Sequence, residues 1–121
     1  NNFDLEKVKV MTWICDEKKL ESIIKNEKSH LAFYCGNGSN IYEILKFFDK
    51  VILLTLDLKT IKHRLSTRID NDFARTPETQ EYVMGKKNQW ESEMIKRGAI
   101  TLEADEDLDL IAKKVIEIAK D

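Results

Sequence analysis

From Asp16 onward the apolar residues take two alternating arrangements: stretches spaced as on one face of a helix, and short near-continuous runs suited to strands. Leu20, Ile23 and Ile24 recur at helical spacing behind Asp16, whose carboxylate suits a helix start, and residues 30–35 (HLAFYC) then read as a strand. Gly36, Asn37, Gly38 and Ser39 form a strong turn signal. Asn40 stands where a side-chain cap is needed for the next helix, with Glu43 in capping-box position and Ile41, Ile44, Leu45 and Phe48 on one stripe. Residues 51–56 (VILLTL) follow as a buried strand.

Asp57 is placed to cap a third helix, whose apolar positions are Leu58, Ile61 and Leu65. Thr76 followed by Pro77 reads as a cap with proline at the first helical position, opening a long helix to about Arg97 with Val83, Trp90 and Met94 on one stripe. Gly98 ends it. Residues 99–104 form a third short strand, and Asp107 is positioned to cap a terminal helix carrying Leu108, Ile111, Ala112, Val115 and Ala119. Strands alternating with helices predict the α/β class, and near-continuous apolar strands predict a parallel sheet with helices on both faces. Residues 1–15 admit two readings: Val8, Val10 and Thr12 alternate as in a strand, yet residues 4–10 also suit a frayed helix.

No internal repeat or linker interrupts residues 16–121, and a chain of 121 residues matches one domain, here taken as 1–121. With 42% hydrophobic and 35% charged residues, four glycines and one proline, it falls outside the disordered and collagen-like classes. Its 20 basic and 22 acidic residues leave a net charge of −2, so no global field draws in nucleic acid or an anionic membrane, and neither is expected as a partner. The apolar run at 51–56 is far shorter than the roughly 20 residues of a membrane span. Residues 1–15 lack the pattern of a signal peptide. Cys15, Cys35, His30 and His63 are isolated, which argues against a zinc site or disulfide scaffold and for reduced thiols in a cytoplasmic protein.

Ligands of open parallel sheets bind beyond the carboxyl ends of the strands, which directs attention to the segments after residues 35, 56 and 104. Gly36, Asn37, Gly38 and Asn40 combine close backbone approach with a helix start suited to an anion, although the same residues also make a plain turn. After the second strand, Arg64 and Arg68 fall one helical turn apart, and Arg75 follows in a polar stretch. Guanidinium groups bind phosphate bidentately and stay charged. The same arginines also suit a solvated basic face neutralised by Asp70 and Asp72.

A strand ending in Asp57, a helix with R-x-x-x-R at Arg64 and Arg68, a short polar segment bearing Arg75 and then a long helix together resemble the second half of the small P-loop kinases, the adenylate kinase, shikimate kinase and nucleoside-kinase-like family. The third strand with its Ala104–Asp105 turn and amphipathic last helix is similar to the way those chains finish, and the resemblance covers roughly residues 13–119. It implies a three-layer α/β/α P-loop fold and an ATP- and magnesium-dependent phosphoryl transfer to a small-molecule acceptor such as a nucleoside or nucleotide. By resemblance, Arg64 borders the adenine, Arg68 meets the transferred phosphates, Arg75 closes from a lid-like segment at 69–76, and Asp105 lines the adenine edge. Trp13, Cys35, Gly36, Asn37 and Asn40 fall towards the acceptor, although Trp13 equally suits packing and Cys35 a small buried hydrophobe. Such chemistry needs chiefly positioning and charge stabilisation.

The departure from that family is the missing phosphate loop, G-x-x-x-x-G-K-[ST]; the Gly85–Lys86 pair lies inside a predicted helix with no glycine five positions earlier. The chain is therefore expected to be the carboxyl-terminal part of a kinase, inactive alone, lacking its first strand and phosphate loop. A start at Asn1 without Met agrees with this. The competing expectation is a noncatalytic α/β binding or assembly module. In the kinase topology the missing strand lies between those at 31–35 and 51–56, so residues 51–56 should pair directly with 99–104, and the gap beside 31–35 should be filled by further chain, by residues 7–14 or by a second copy in a homo-oligomer.

Overall fold

The computed structural model describes residues 5–10, 12–70 and 74–121. Its elements run α1 (Leu5–Val10), α2 (Glu17–Asn26), α3 (Ile41–Ile44) continuing as a 3₁₀ turn (Leu45–Phe47), β1 (Ile52–Thr55), α4 (Leu58–Thr67), α5 (Pro77–Lys96), β2 (Ile100–Glu103) and α6 (Leu108–Lys120). This is a mixed α/β chain. It divides into two compact units, Asn1–Met11 with Leu53–Asp105, and Thr12–Ile52 with Glu106–Asp121.

In the first unit β1 and β2 pair in parallel, as expected for 51–56 and 99–104, and the Ala104 amide extends the ladder by donating to the Thr55 carbonyl at 2.8 Å. The connection between them is α4 and α5. Asp57 starts α4 by accepting from the Thr60 amide and hydroxyl, both at 2.8 Å. Thr76 caps α5, with Pro77 in the first turn, and its hydroxyl engages that of Thr79 at 2.8 Å. At the other end Gly98, with φ +100°, donates to Ile95 while Ala99 donates to Met94, both at 3.0 Å. This pair of reversed bonds is the Schellman ending, which satisfies otherwise orphaned carbonyls.

The inner stripe of α5 buries Met84 and Met94 together with Thr79 and Gln80, while Val83 and Trp90 are half-buried. Gln80 is buried because its amide is engaged: Nε2 donates to Ser66 Oγ on α4 at 2.9 Å and to the Arg75 carbonyl at 3.1 Å. α1 also lies against α5, so the open reading of the amino-terminal segment resolves as a helix over Leu5–Val10.

The expected continuous burial of the second strand is not found. Leu53 is 3% exposed but Leu54 is 51%, and β2 leaves Ile100, Thr101 and Glu103 exposed. Side chains of a strand alternate between faces, which separates buried Leu53 from exposed Leu54, whereas Ile100 and Thr101 fall on opposite faces of β2 and both are exposed. The sheet among the described residues has two strands, short of the three-layer architecture expected.

In the second unit Asp16 caps α2, its carboxylate accepting from the Lys19 amide at 3.1 Å, and Leu20 is the buried residue of that helix. Residues 30–35 form no strand, which corrects the sequence reading. A strand is held by ladder partners, and here all of 30–35 except Leu31 are exposed. Tyr34 instead sets its ring against Phe48, centroids 5.4 Å apart. Ile41 and Ile44 are buried, and Lys50 Nζ donates to the carbonyls of Ile118, at 2.7 Å, and Asp121 at the end of α6. Cations are favoured there because a helix presents its unpaired carbonyls at that end.

Two expected caps are corrected as well. Asn40 and Asp107 occupy the N-cap positions of α3 and α6, but neither side chain bonds its helix. For Asn40 the cause is competition, since its carboxamide is engaged elsewhere.

Candidate functional site

The candidate residues fall in two places. In the first unit, the bond from Ala104 N to Thr55 O aligns the carboxyl ends of β1 and β2, so Asp57 and Asp105 follow from the same end of the sheet. Asp105 is exposed there. The Asp57 carboxyl is held below its ordinary value because it accepts from the Thr60 amide and hydroxyl.

Arg64 lies in the last turn of α4 and Arg68 is its C-cap, about 9–15 Å along the axis from the helix start at the rise of an α-helix. The Arg68 amide donates to the Arg64 carbonyl at 3.1 Å, closing the helix. Arg75 Nη2 donates to the Arg68 carbonyl at 2.7 Å, which brings the second and third arginines together through main chain. A guanidinium on the terminal carbonyls of α4 meets the negative end of the helix dipole. Between them, Ile69 and Asp70 are exposed, while Ala74 is fully buried at φ +56°, a conformation uncommon outside glycine. Asn71, Asp72 and Phe73, within the lid-like segment at 69–76, lie outside the described residues.

In the second unit Asn40 is the organising side chain. Its Oδ1 accepts from the Cys15 amide at 3.0 Å and its Nδ2 donates to the Cys15 carbonyl at 2.9 Å, so one carboxamide substitutes for a strand partner of residue 15. The Ser39 amide donates to the Trp13 carbonyl at 2.6 Å, a second tie between the same two segments. These bonds bring the backbones so close that a Cβ on Gly38 would lie 3.0 Å from the Trp13 carbonyl oxygen. Gly38 is thus fixed by close approach. Asn37 Oδ1 accepts from the Gly38 amide at 2.8 Å, a local bond to the next residue. Trp13 is 68% exposed, and Gly36 is exposed, where an added Cβ would meet the Tyr34 ring at ordinary contact distance.

Sequence reasoning placed Asn40 and Gly36 here but missed Cys15 and Tyr34. The Tyr34 hydroxyl donates to the half-buried Cys15 sulfur, and this bond, aided by desolvation and by negative charge on that sulfur, raises the phenol above its ordinary value. No sequence signal links residues 15 and 34, because the link runs through an irregular segment without periodicity. Along α2, Lys18, Glu21, Ser22, Lys25 and Asn26 line a depression of about 290 Å³ that holds none of the candidate residues.

Among the described residues no three His, Cys, Asp or Glu side chains gather as a metal site, and no helix is long and apolar enough to cross a membrane. No protein-family model, curated protein or solved structure matches the chain.

Proposed function

We propose that this chain is the lid and adenine-side portion of a cytoplasmic ATP-dependent phosphotransferase of P-loop type, acting on a small-molecule acceptor of the nucleoside or nucleotide class. The observation that carries the reading is the parallel β1–β2 pair joined by α4 and α5, with Arg75 bonded to the end of the R-x-x-x-R helix. Two parallel strands are too few to stand as a sheet, since parallel sheets are stable when both faces are covered and further strands pair. The half-exposed Leu54 and Ile100 are the side chains such additions would cover.

Within this reading Arg64 borders the base, Arg68 and Arg75 balance phosphate charge, and Asp105 faces the adenine edge, while Trp13, Gly36, Asn37 and Asn40 belong to the acceptor side. ATP supplies the transferred group. The described residues fit only its base and arginine contacts: they include neither a metal-ligand cluster nor a glycine-rich loop for the triphosphate.

The intact mass and upstream sequence of the natural protein test the reading. Preceding residues with a glycine-rich loop ending in Gly-Lys-Ser/Thr support it, and a natural chain beginning at Asn1 overturns it. In a complete protein with that loop, Arg68→Ala should lower turnover more than it weakens ATP binding, because charge on the transferred phosphoryl group is stabilised most in the transition state. The second reading, a noncatalytic binding or assembly module, is favoured by one observation. The Asn40 carboxamide bonds the Cys15 main chain through both its oxygen and its nitrogen, which is the work of a structural tie between segments.

A further inference from the structure

Helix α6 carries more apolar surface than its own unit covers. Ile111 is buried and Val115, Ile118 and Ala119 are half-buried, so these residues form the inner face. Beside them Leu108, Ala112 and Ile116 recur every fourth residue, forming one row along the helix. This row is open: Leu108 is 77% exposed, Ile116 is 40%, and Ala112 is exposed between them.

The charges along the row are arranged by position. Asp105, Glu106, Asp107 and Asp109 gather at the start of the helix, whereas Lys113 and Lys114 lie at its middle and Lys120 at its end, with Glu117 between them. Glu106 and Lys114 are joined at 2.8 Å. Asp109 and Lys113, exposed on the flank of the open row and one turn apart, make no ion pair among the described residues.

We infer that the open row of α6 is the interface for a second copy of this chain, with the two α6 helices packed antiparallel about a two-fold axis at Ala112. A two-fold contact requires a self-complementary surface, in which each residue meets its counterpart reciprocally. The row meets that requirement. About Ala112, Leu108 faces the partner's Ile116 and Ile116 faces the partner's Leu108. The small residue at the crossing lets the axes approach closely. Asp109 reaches the partner's Lys113, and the symmetry repeats the pair on the other side. Antiparallel packing also keeps the acidic starts of the two helices apart and opposes their dipoles. A parallel partner would set acid against acid.

The patch is a single helix row, well under the roughly 800 Å² per partner of a standard stable interface, so the dimer is weak and reversible. This inference is independent of the phosphotransferase reading. Sedimentation velocity of the protein across about 10 µM to 1 mM at low salt should show a monomer–dimer equilibrium, shifted towards monomer when added salt shortens the Debye length to a few ångströms. Ile116→Lys should weaken dimerisation at least about tenfold, with unchanged far-ultraviolet circular dichroism. Asp109→Lys should weaken it several-fold, and Asp109→Lys combined with Lys113→Asp should restore it, a rescue that rests on exposed residues alone and does not depend on how Ile116→Lys folds. A monomer at every concentration, a dimer indifferent to Ile116→Lys, or no rescue by the charge swap overturns the inference.

Discussion

Asn40 shows how one side chain can be assigned two incompatible tasks. Its position before Ile41 suggests a helix cap, yet both ends of its carboxamide are bonded to the Cys15 main chain, and α3 is left without a side-chain cap. Removing a part-buried pair of hydrogen bonds costs about 1–3 kcal/mol, so Asn40→Ala should lower the unfolding free energy obtained from urea denaturation by that much, with the Cys15 amide proton losing its protection from exchange. Asn40→Asp tests the direction of the bonds. Its carboxylate can still accept from the Cys15 amide but opposes the Cys15 carbonyl, and it should regain stability below about pH 4, where a protonated acid can donate. A midpoint for Asn40→Asp that does not respond to acid would show that the carbonyl bond contributes nothing.

Tyr34 is a second residue whose setting depends on Cys15. Its hydroxyl is held above the ordinary phenol value, chiefly because it donates to the Cys15 sulfur. A raised folded value means that the neutral form is favoured by folding. The associated stability is therefore complete below the unfolded value near 10 and is lost as the pH rises through the folded one. Following the Tyr34 ring carbon by nuclear magnetic resonance should give a midpoint above that of an unstructured tyrosine, and Cys15→Ala should bring it down. An unchanged midpoint would separate the two groups.

At the scale of elements, legibility followed the range of the forces. Asp16, Asp57, Thr76, Pro77 and Gly98 act within one helical turn, and each marks the end of a helix where the sequence places it. Gly98 allows a clean test, because a Cβ there would meet nothing within 4 Å while its φ is +100°. Gly98→Ala should thus cost only the backbone penalty, roughly 1–2 kcal/mol, read from the denaturation midpoint. A loss much greater than this would reveal crowding. Residues 30–35 failed as a strand for the opposite reason: apolar, β-branch-poor runs become strands only when another strand accepts their bonds, and that condition lies outside the segment.

For the whole molecule, the order of β1, α4, α5 and β2 and the parallel pairing were readable because connection rules restrict them. The candidate site was readable only in part. R-x-x-x-R spacing located Arg64 and Arg68 on α4, but the bond of Arg75 to the Arg68 carbonyl and the link from Cys15 to Tyr34 depend on irregular segments with no repeat to read. The buried, positive-φ Ala74 likewise carries no sign in a residue type that favours neither feature.

The bond between Thr55 and Ala104 spans the whole of α4 and α5, and that separation sets the order of events during folding. Closing a longer loop costs more entropy, by about 0.6 kcal/mol for each doubling, before any contact rewards it. Isolated helical turns form within about a microsecond, so α4 and α5, each with its own cap, nucleate ahead of the strands they connect. Parallel pairing then belongs to the final descent from the barrier. Leu102→Ala, which trims a half-buried side chain of β2, should speed unfolding and leave the refolding rate nearly unchanged, whereas proportionate slowing of refolding would place the strands in the nucleus. Resistance to transient opening is then governed by this short sheet, while the speed of reaching the native state is governed by the helices between its strands.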